Sequence, residues 1–265
     1  MVIEYYNEET KILTLPFDFN EELKSLALDT KIIIFEEDYL KNQLSSFNQD
    51  INNLQNSITH LTLGYNFNNK VDNLPNNLTH LTFGYNFNQI VDKLPNNLTH
   101  LTFGKNFNQS VDKLPKKLIH LTFGMLFNQS VDKLPNSLTH LIFKWKFNQS
   151  VDKLPNNLIQ LIFGSEFNQS VNNLPNCLTH LTFGFDFNQS VDKLPKNITH
   201  LTFGKNFNRS VDKLPNSITN LTFGKKFNQQ VDNLALYMKE IIIYSHQSHL
   251  LKKVPFGCKI IDCEK

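Results

Sequence analysis

Cysteine, tryptophan and an excess of either charge are what this chain has little of, and each shortage excludes something. Its 265 residues hold three cysteines, Cys177, Cys258 and Cys263. Their odd number and irregular spacing fit neither a disulfide scaffold nor a zinc site, so they read as free thiols. Basic residues number 26 against 24 acidic, a net charge of +2, and the two signs alternate along the chain. Charge therefore gives no reason to expect nucleic acid or an anionic membrane as partner. No apolar run approaches spanning length, and Met1 to Thr10 has neither the basic start nor the apolar stretch of a signal peptide. The chain reads as soluble and cytoplasmic. No phosphate loop, zinc spacing, nucleophile elbow or repeated carboxylate pair appears, so no enzyme, cofactor or metal is expected.

What is present is a strict repeat, and its period of about 20 residues marks a solenoid. Leu78-Thr-His-Leu-Thr-Phe-Gly84 returns as Leu98 to Gly104 and as Leu178 to Gly184, and nine clear copies begin between Ile58 and Ile218. The ends keep the register: Leu26 to Phe35 mirrors Leu234 to Ile243, and a further strand begins at Thr10. Cys258, Ile261 and Cys263 fall one period after Met238, Ile241 and Ile243. The expected fold is mainly β, a leucine-rich-repeat-like solenoid with a parallel sheet, about 13 coils of about 20 residues and little helix. Residues 1–57 form an N-terminal cap and degenerate coils with an insertion at 36–46, residues 58–233 the regular repeats, and residues 234–265 degenerate coils and a cap. The insertion, acidic at Glu36, Glu37 and Asp38, is expected to bulge and form one helical turn around Tyr39 to Leu44.

Within a coil, alternation puts Leu81 and Phe83 on the core face and His80 and Thr82 outside. Gly84 is expected to leave the strand with positive φ, and Pro95 to preset an extended segment without an amide donor. One coil alone cannot offset its ordering entropy, so coils must stack, giving a curved body roughly 60 Å long at the usual strand spacing. Val2 to Tyr6 would cover the first coil, and Asp262, Glu264 and Lys265 would charge the last edge. The Asn after each Phe (Asn68, Asn88, Asn108, Asn128, Asn148, Asn168, Asn188, Asn208 and Asn228) reads as a buried structural ladder of amides. Six of them are glycosylation sequons, from Asn108 to Asn208; glycan acceptors buried in turns argue against secretion.

The cycle Phe-Asn-x-x-Val-x-x-Leu-Pro-x-x-Leu-x-x-Leu-x-Phe-Gly resembles the FNIP repeat, a relative of leucine-rich repeats found in social amoebae and in giant viruses that infect amoebae. It is also similar to the short leucine-rich repeats of secreted bacterial effectors, which lack convex helices. The resemblance implies a protein-interaction module, joined in some relatives to an F-box that recruits a ubiquitin ligase. A repeat beginning near Thr10 leaves no room for an F-box, and Asp92-Lys93 stands where longer FNIP coils carry an extra Pro-Gly-like step.

The exposed columns are the candidate sites. One runs His60, His80, His100, His120, His140, Gln160, His180, His200, Asn220, and reads as a surface ladder of neutral imidazoles without metal. The residues after each Gly vary most, with Tyr65, Tyr85, Trp145 and Phe185 as aromatic candidates. Trp145, beside Lys144 and near Ile142 and Ile162, breaks the repeat at mid-chain. The reading is a monomeric, non-catalytic scaffold in the cytoplasm (host cytoplasm if viral) that binds a protein partner through its concave sheet and variable rim. The alternatives are a structural or particle-associated repeat protein without a specific partner, or an F-box-independent host-interaction factor.

Overall fold

In the computed structural model, residues 2–24 and 26–264 are described. Lys265, expected to charge the last edge, lies outside them. Two compact units divide the chain, Met1–Gln129 and Ser130–Lys265, at a point inside the regular repeats.

The first unit opens with a 3-10 helix, Val2–Tyr5, and strand β1 (Tyr6–Asn7), which pairs antiparallel with β2 (Ile12–Leu15). The strands β3 (Ile32–Phe35), β4 (His60–Thr62), β5 (His80–Thr82), β6 (His100–Thr102) and β7 (His120–Thr122) follow in parallel, in chain order. Thus β1 closes the edge of the first coil, and the Tyr5 ring meets Phe19 edge-on at 6.5 Å. The second unit runs in the same way through β8 (His140–Ile142), β9 (Gln160–Ile162), β10 (His180–Thr182), β11 (His200–Thr202), β12 (Asn220–Thr222), β13 (Glu240–Ile243) and β14 (Lys259–Asp262). β2 to β14 supply one strand per coil. No helix among the described residues is long and apolar enough to cross a membrane.

Three-residue strands suffice because the turns continue the ladder. Thr79 N–H reaches Thr59 O at 2.9 Å before the strand, and Asn86 N–H reaches Tyr65 O at 2.9 Å after it. Alternation buries Leu81 and Phe83, and the returning arc buries Phe87, Val91, Leu94 and Leu98. Phe83 and Phe87 stack at 3.7 Å within the coil, and Phe87 faces Phe107 at 6.1 Å in the next. Pro95 begins the last turn, its carbonyl accepting from Leu98 N–H at 3.2 Å.

The glycine column serves a purpose other than positive φ. Among the described glycines only Gly257 has positive φ, at 78°. A Cβ on Gly104 would instead lie 1.7 Å from Gly84 O, and one on Gly204 1.7 Å from Gly184 O. At these rungs glycine lets successive coils bring backbone against backbone, and Lys144 is the rung within the regular repeats that departs from it.

The asparagine column is half-buried to exposed, where burial was expected. Each Oδ1 accepts the backbone N–H of the next coil's Asn: Asn88 onto Asn68 at 2.8 Å, Asn108 onto Asn88 at 2.9 Å, and in the second unit Asn188 onto Asn168 at 2.9 Å. The neighbouring glutamines add a strut, Gln109 Nε2 donating to Asn88 O at 3.2 Å. The ladder is thus side chain to backbone, and the turn amides are satisfied without full burial.

Two further expectations are corrected. The insertion forms a tight antiparallel turn, with Asp38 and Gln43 exchanging backbone bonds of 2.9 Å, in place of a helical turn. Asp38 Oδ1 accepts from Leu40 and Lys41 N–H, and Asn42 takes φ of 56°, local chemistry that favours a turn. The last strand pairs one residue out of register, with Ile260 opposite Ile241 and Ile261 opposite Ile242. Cys263 is exposed and Cys258 half-buried, away from the core sites expected for them.

The phenylalanine column ends on a polar residue in the second unit. Gln247, buried in the 3-10 helix Ser245–Leu250, stands one period after Phe227. Its Nε2 donates to Gly224 O (2.7 Å) and Phe227 O (3.2 Å), while its Oε1 accepts from Tyr244 N–H (2.9 Å). It satisfies carbonyls that another turn of the usual kind would have covered.

Candidate functional site

The outward face of the first unit carries four stacked imidazoles. Ring centroids lie 4.1 Å apart for His60–His80 and His80–His100, and 4.4 Å for His100–His120. Parallel strand register forces this, since equivalent residues lie side by side. In the second unit His140 pairs in register with Gln160, and His180 and His200 stack at 4.3 Å.

The threonine before His60, His80, His100, His140, His180 and His200 fixes the ring, whereas Ile119 precedes His120. Thr79 Oγ1 donates to Thr59 O at 3.1 Å and lies 2.9 Å from His80 Nδ1; Thr99 Oγ1 does the same toward Thr79 O (3.2 Å) and His100 Nδ1 (2.9 Å). A hydroxyl has one proton, already given to the carbonyl, so it must accept from Nδ1–H. The Nε2 atoms of His80 and His100 are therefore acceptors. Thr199 repeats the arrangement at His200, and Thr139 Oγ1 lies 2.7 Å from His140 Nδ1. Burial, then the charges of His60, His100 and His120, pull His80 down to about 4. His120 is lowered by burial and then His100, and His200 by burial, then His180 and Lys239. Among the described residues no three or more His, Cys, Asp or Glu are arranged to hold a metal ion.

The post-strand rim of the first unit is aromatic. Tyr65 and Tyr85 stack at 4.4 Å, and Lys105 sits 4.7 Å over the Tyr85 ring while its ammonium donates to the Tyr85 hydroxyl. The insertion extends the column: Tyr39 approaches Tyr65 at 6.4 Å and is 64% exposed. Glu37 locks it there. One carboxylate oxygen accepts from Tyr39 OH at 2.8 Å, and the other from the backbone N–H groups of Tyr65 and Ser45. Burial and then Glu37 push the Tyr39 phenol up to about 12.

The second unit's rim is different. Trp145 is exposed and donates its indole N–H to Glu166 at 2.9 Å, and Phe185 is exposed beneath Lys205, 4.9 Å from the ring. Ile142 and Ile162 pair in register on the outward face. The structure thus brings Tyr65 with Tyr85, and His80 with His100 and His120, in the first unit; His140, Trp145 and Phe185 belong to the second.

Sequence reasoning missed Tyr39, Glu37, Gln247 and the threonines at 59, 79, 99, 139, 179 and 199. The threonines carried a signal, recurring beside His in most periods; Tyr39 and Glu37 lie where the insertion suspends the repeat.

These coils and columns define a solenoid of the leucine-rich-repeat type. The FNIP Repeat matches residues 6–86, 70–93, 87–126, 147–186, 187–213 and 210–236, most of the chain, and the chain belongs to the FNIP repeat family. Among solved structures it is similar to CroV588, described as a novel circular LRR protein from the giant virus CroV: identity is 33%, with 94% of this chain and 49% of that one covered, at a TM-score of 0.49. It is also similar to YopM from Yersinia enterocolitica WA-314, at 17% identity over 91% of this chain and 56% of that one, with a TM-score of 0.54. The latter likeness is of fold alone. The chain spans about half the length of each, 49% and 56%. No curated protein matches.

Proposed function

We propose that this chain is a non-catalytic repeat scaffold that binds a protein partner through the outward face of its sheet and the post-strand rim. The observation that carries this reading is the column Tyr39, Tyr65, Tyr85 and Lys105, in which Tyr65 and Tyr85 stack, Tyr39 tilts against Tyr65 while bonded to Glu37, and Lys105 lies over the Tyr85 ring, all at a surface. Rings already locked in place lose little entropy on binding, and tyrosine and tryptophan dominate binding hot spots. The core, glycine and asparagine columns are committed to stacking, which leaves recognition to the exposed columns. The Asp and Lys residues of the turn edge pair with each other across coils, as Lys113 does with Asp92 at 2.6 Å, and offer no catalytic pair. Three free thiols accord with a cytoplasmic location, in a host cell if the chain is viral.

Affinity capture from native or infected cells tests the reading. One saturable partner is expected, retained poorly by Tyr85→Ala or Trp145→Ala and normally by Lys113→Ala. A partner held equally by all three variants, or self-association alone, would remove the rim from the interface.

A further inference from the structure

The turn edge of the coils is polar at almost every rung. The first residue after each Pro is Asn or Lys from Asn76 to Asn216, and then the pattern changes to Leu236 and, one period on, Phe256. Tyr237 stands beside Leu236. Their exposures are 84% for Leu236, 79% for Tyr237 and 107% for Phe256. Two successive tight turns hold them out: Met238 N–H bonds Ala235 O at 3.1 Å, and Cys258 N–H bonds Pro255 O at 3.1 Å with Gly257 at φ 78°. These side chains are protruding tips.

Lysines bracket the tips on both sides. Before the second turn, Lys252 and Lys253 occupy the place where the regular coils carry Asp-Lys, Asp-Asn or Asn-Asn; after the two turns come Lys239 and Lys259. All four are exposed, and among the described residues Lys239, Lys253 and Lys259 make no ion pair, while Lys252 reaches Asp232 only at 3.9 Å. Against these four lysines stand Glu240, in register opposite Lys259, and Asp232, so the corner keeps a smaller positive excess that the balanced charge of the whole chain conceals.

We propose that this corner of the second unit docks on an anionic lipid surface, with Leu236, Tyr237 and Phe256 entering the interfacial layer and the lysines meeting lipid phosphates. Protruding apolar tips suit a fluid interface, which needs no matching cavity, and flanking lysines suit negative headgroups. A second copy of the chain fits worse. Three side chains offer roughly 500 Å² at most, below the ~800 Å² per partner of a stable complex, and two such corners would oppose lysine to lysine.

Co-sedimentation of the full chain with vesicles of equal parts phosphatidylcholine and phosphatidylserine, against phosphatidylcholine alone, tests this. Binding to the mixed vesicles alone is expected, weakened about tenfold by Phe256→Ala with Leu236→Ser, and about tenfold by Lys253→Glu with Lys259→Glu. Leu28→Ser, which removes an equally exposed leucine in the first unit, should leave binding unchanged, and circular dichroism should show every variant folded. Absence of binding, equal binding to neutral vesicles, or binding indifferent to both double variants overturns the proposal.

Discussion

The two units are built from one coil yet present different surfaces. Inside they coincide: Phe87–Phe107 and Phe187–Phe207 lie 6.1 and 6.0 Å apart, and the asparagine rungs Asn108 and Asn188 both close at 2.9 Å. Outside they part. The first keeps its imidazole stack unbroken from His60 to His120 and its rim as stacked tyrosines, whereas the second interrupts the column at Gln160 and Asn220 and ties Trp145 to Glu166. A position whose neighbour is its own copy in the next coil is constrained by backbone contact or close packing. A position facing water is free to differ, so the difference between the units marks the surface on which the proposed recognition would lie.

The largest expected effect tests the shared interior. Gly104→Ala and Gly204→Ala each drive a methyl to within 1.7 Å of the preceding coil's carbonyl, so each should destabilise by about 3 kcal/mol, equally in the two units. Gly257→Ala, with open space around it but φ of 78°, should cost only about 1 to 2 kcal/mol. Urea unfolding of the three variants ranks them. If Gly104→Ala unfolds with the wild type, close backbone approach is not what fixes the coil.

This ranking also marks what the sequence disclosed. Leu81, Phe83, Phe87 and their copies were legible because period-2 alternation and the coil repeat each pick them out independently. The role of Gly84 was not, since a local reading of glycine invokes φ, while the contact that demands it comes from another coil. Tyr39 was hidden because the insertion removes the register by which neighbours are counted. Gln247 was hidden because it closes a column of phenylalanines without resembling them. The rim aromatics were visible as residues but not as stacks, since stacking depends on rotamers that only the neighbouring coil sets.

Where the units differ, pH should separate them. His80, held at about 4, and His120 and His200, also lowered, bind a proton less readily when folded than when unfolded, where the value is about 6.5. As pH falls from 6.5 toward 4 the unfolded chain binds more protons, so stability is lost across that window and is fully present above it. Adjacent imidazolium charges at ring distances of 4.1 Å repel by about 1 kcal/mol even at the dielectric of water, and less in salt. His80→Asn, which removes a ring between two others, should flatten the fall in melting temperature from pH 7.5 to pH 5 more than His200→Asn, whose other neighbour is Asn220. Equal flattening would mean that burial alone, and not stacking, sets the proton affinity.

The asparagine rungs should behave alike again. Asn108→Ala orphans the Asn128 N–H and the Gln129 Nε2 bond, and Asn188→Ala orphans the Asn208 N–H, each at a cost of about 1 kcal/mol. Asn228→Ala keeps the backbone bond that Asn228 itself gives to Asn208, and should cost little. Chemical denaturation distinguishes a ladder from mere repetition: a full cost at Asn228 would show that the amides act within their own turn.

The smallest effect belongs to the most regular charged feature. Lys113 meets Asp92 at 2.6 Å in the first unit and Lys213 meets Asp192 at 3.0 Å in the second, with both lysines largely exposed (68% and 70%). Exposed pairs gain little Coulomb energy and immobilise long side chains, so Lys113→Ala and Lys213→Ala should each change stability by less than about 0.5 kcal/mol, and by nothing measurable in high salt. A loss above about 1 kcal/mol would make the charged edge part of the stacking machinery. A negligible loss leaves Asp and Lys there for solubility, which is why replacing that pattern with Lys252 and Lys253 beside exposed apolar tips is open to a different use.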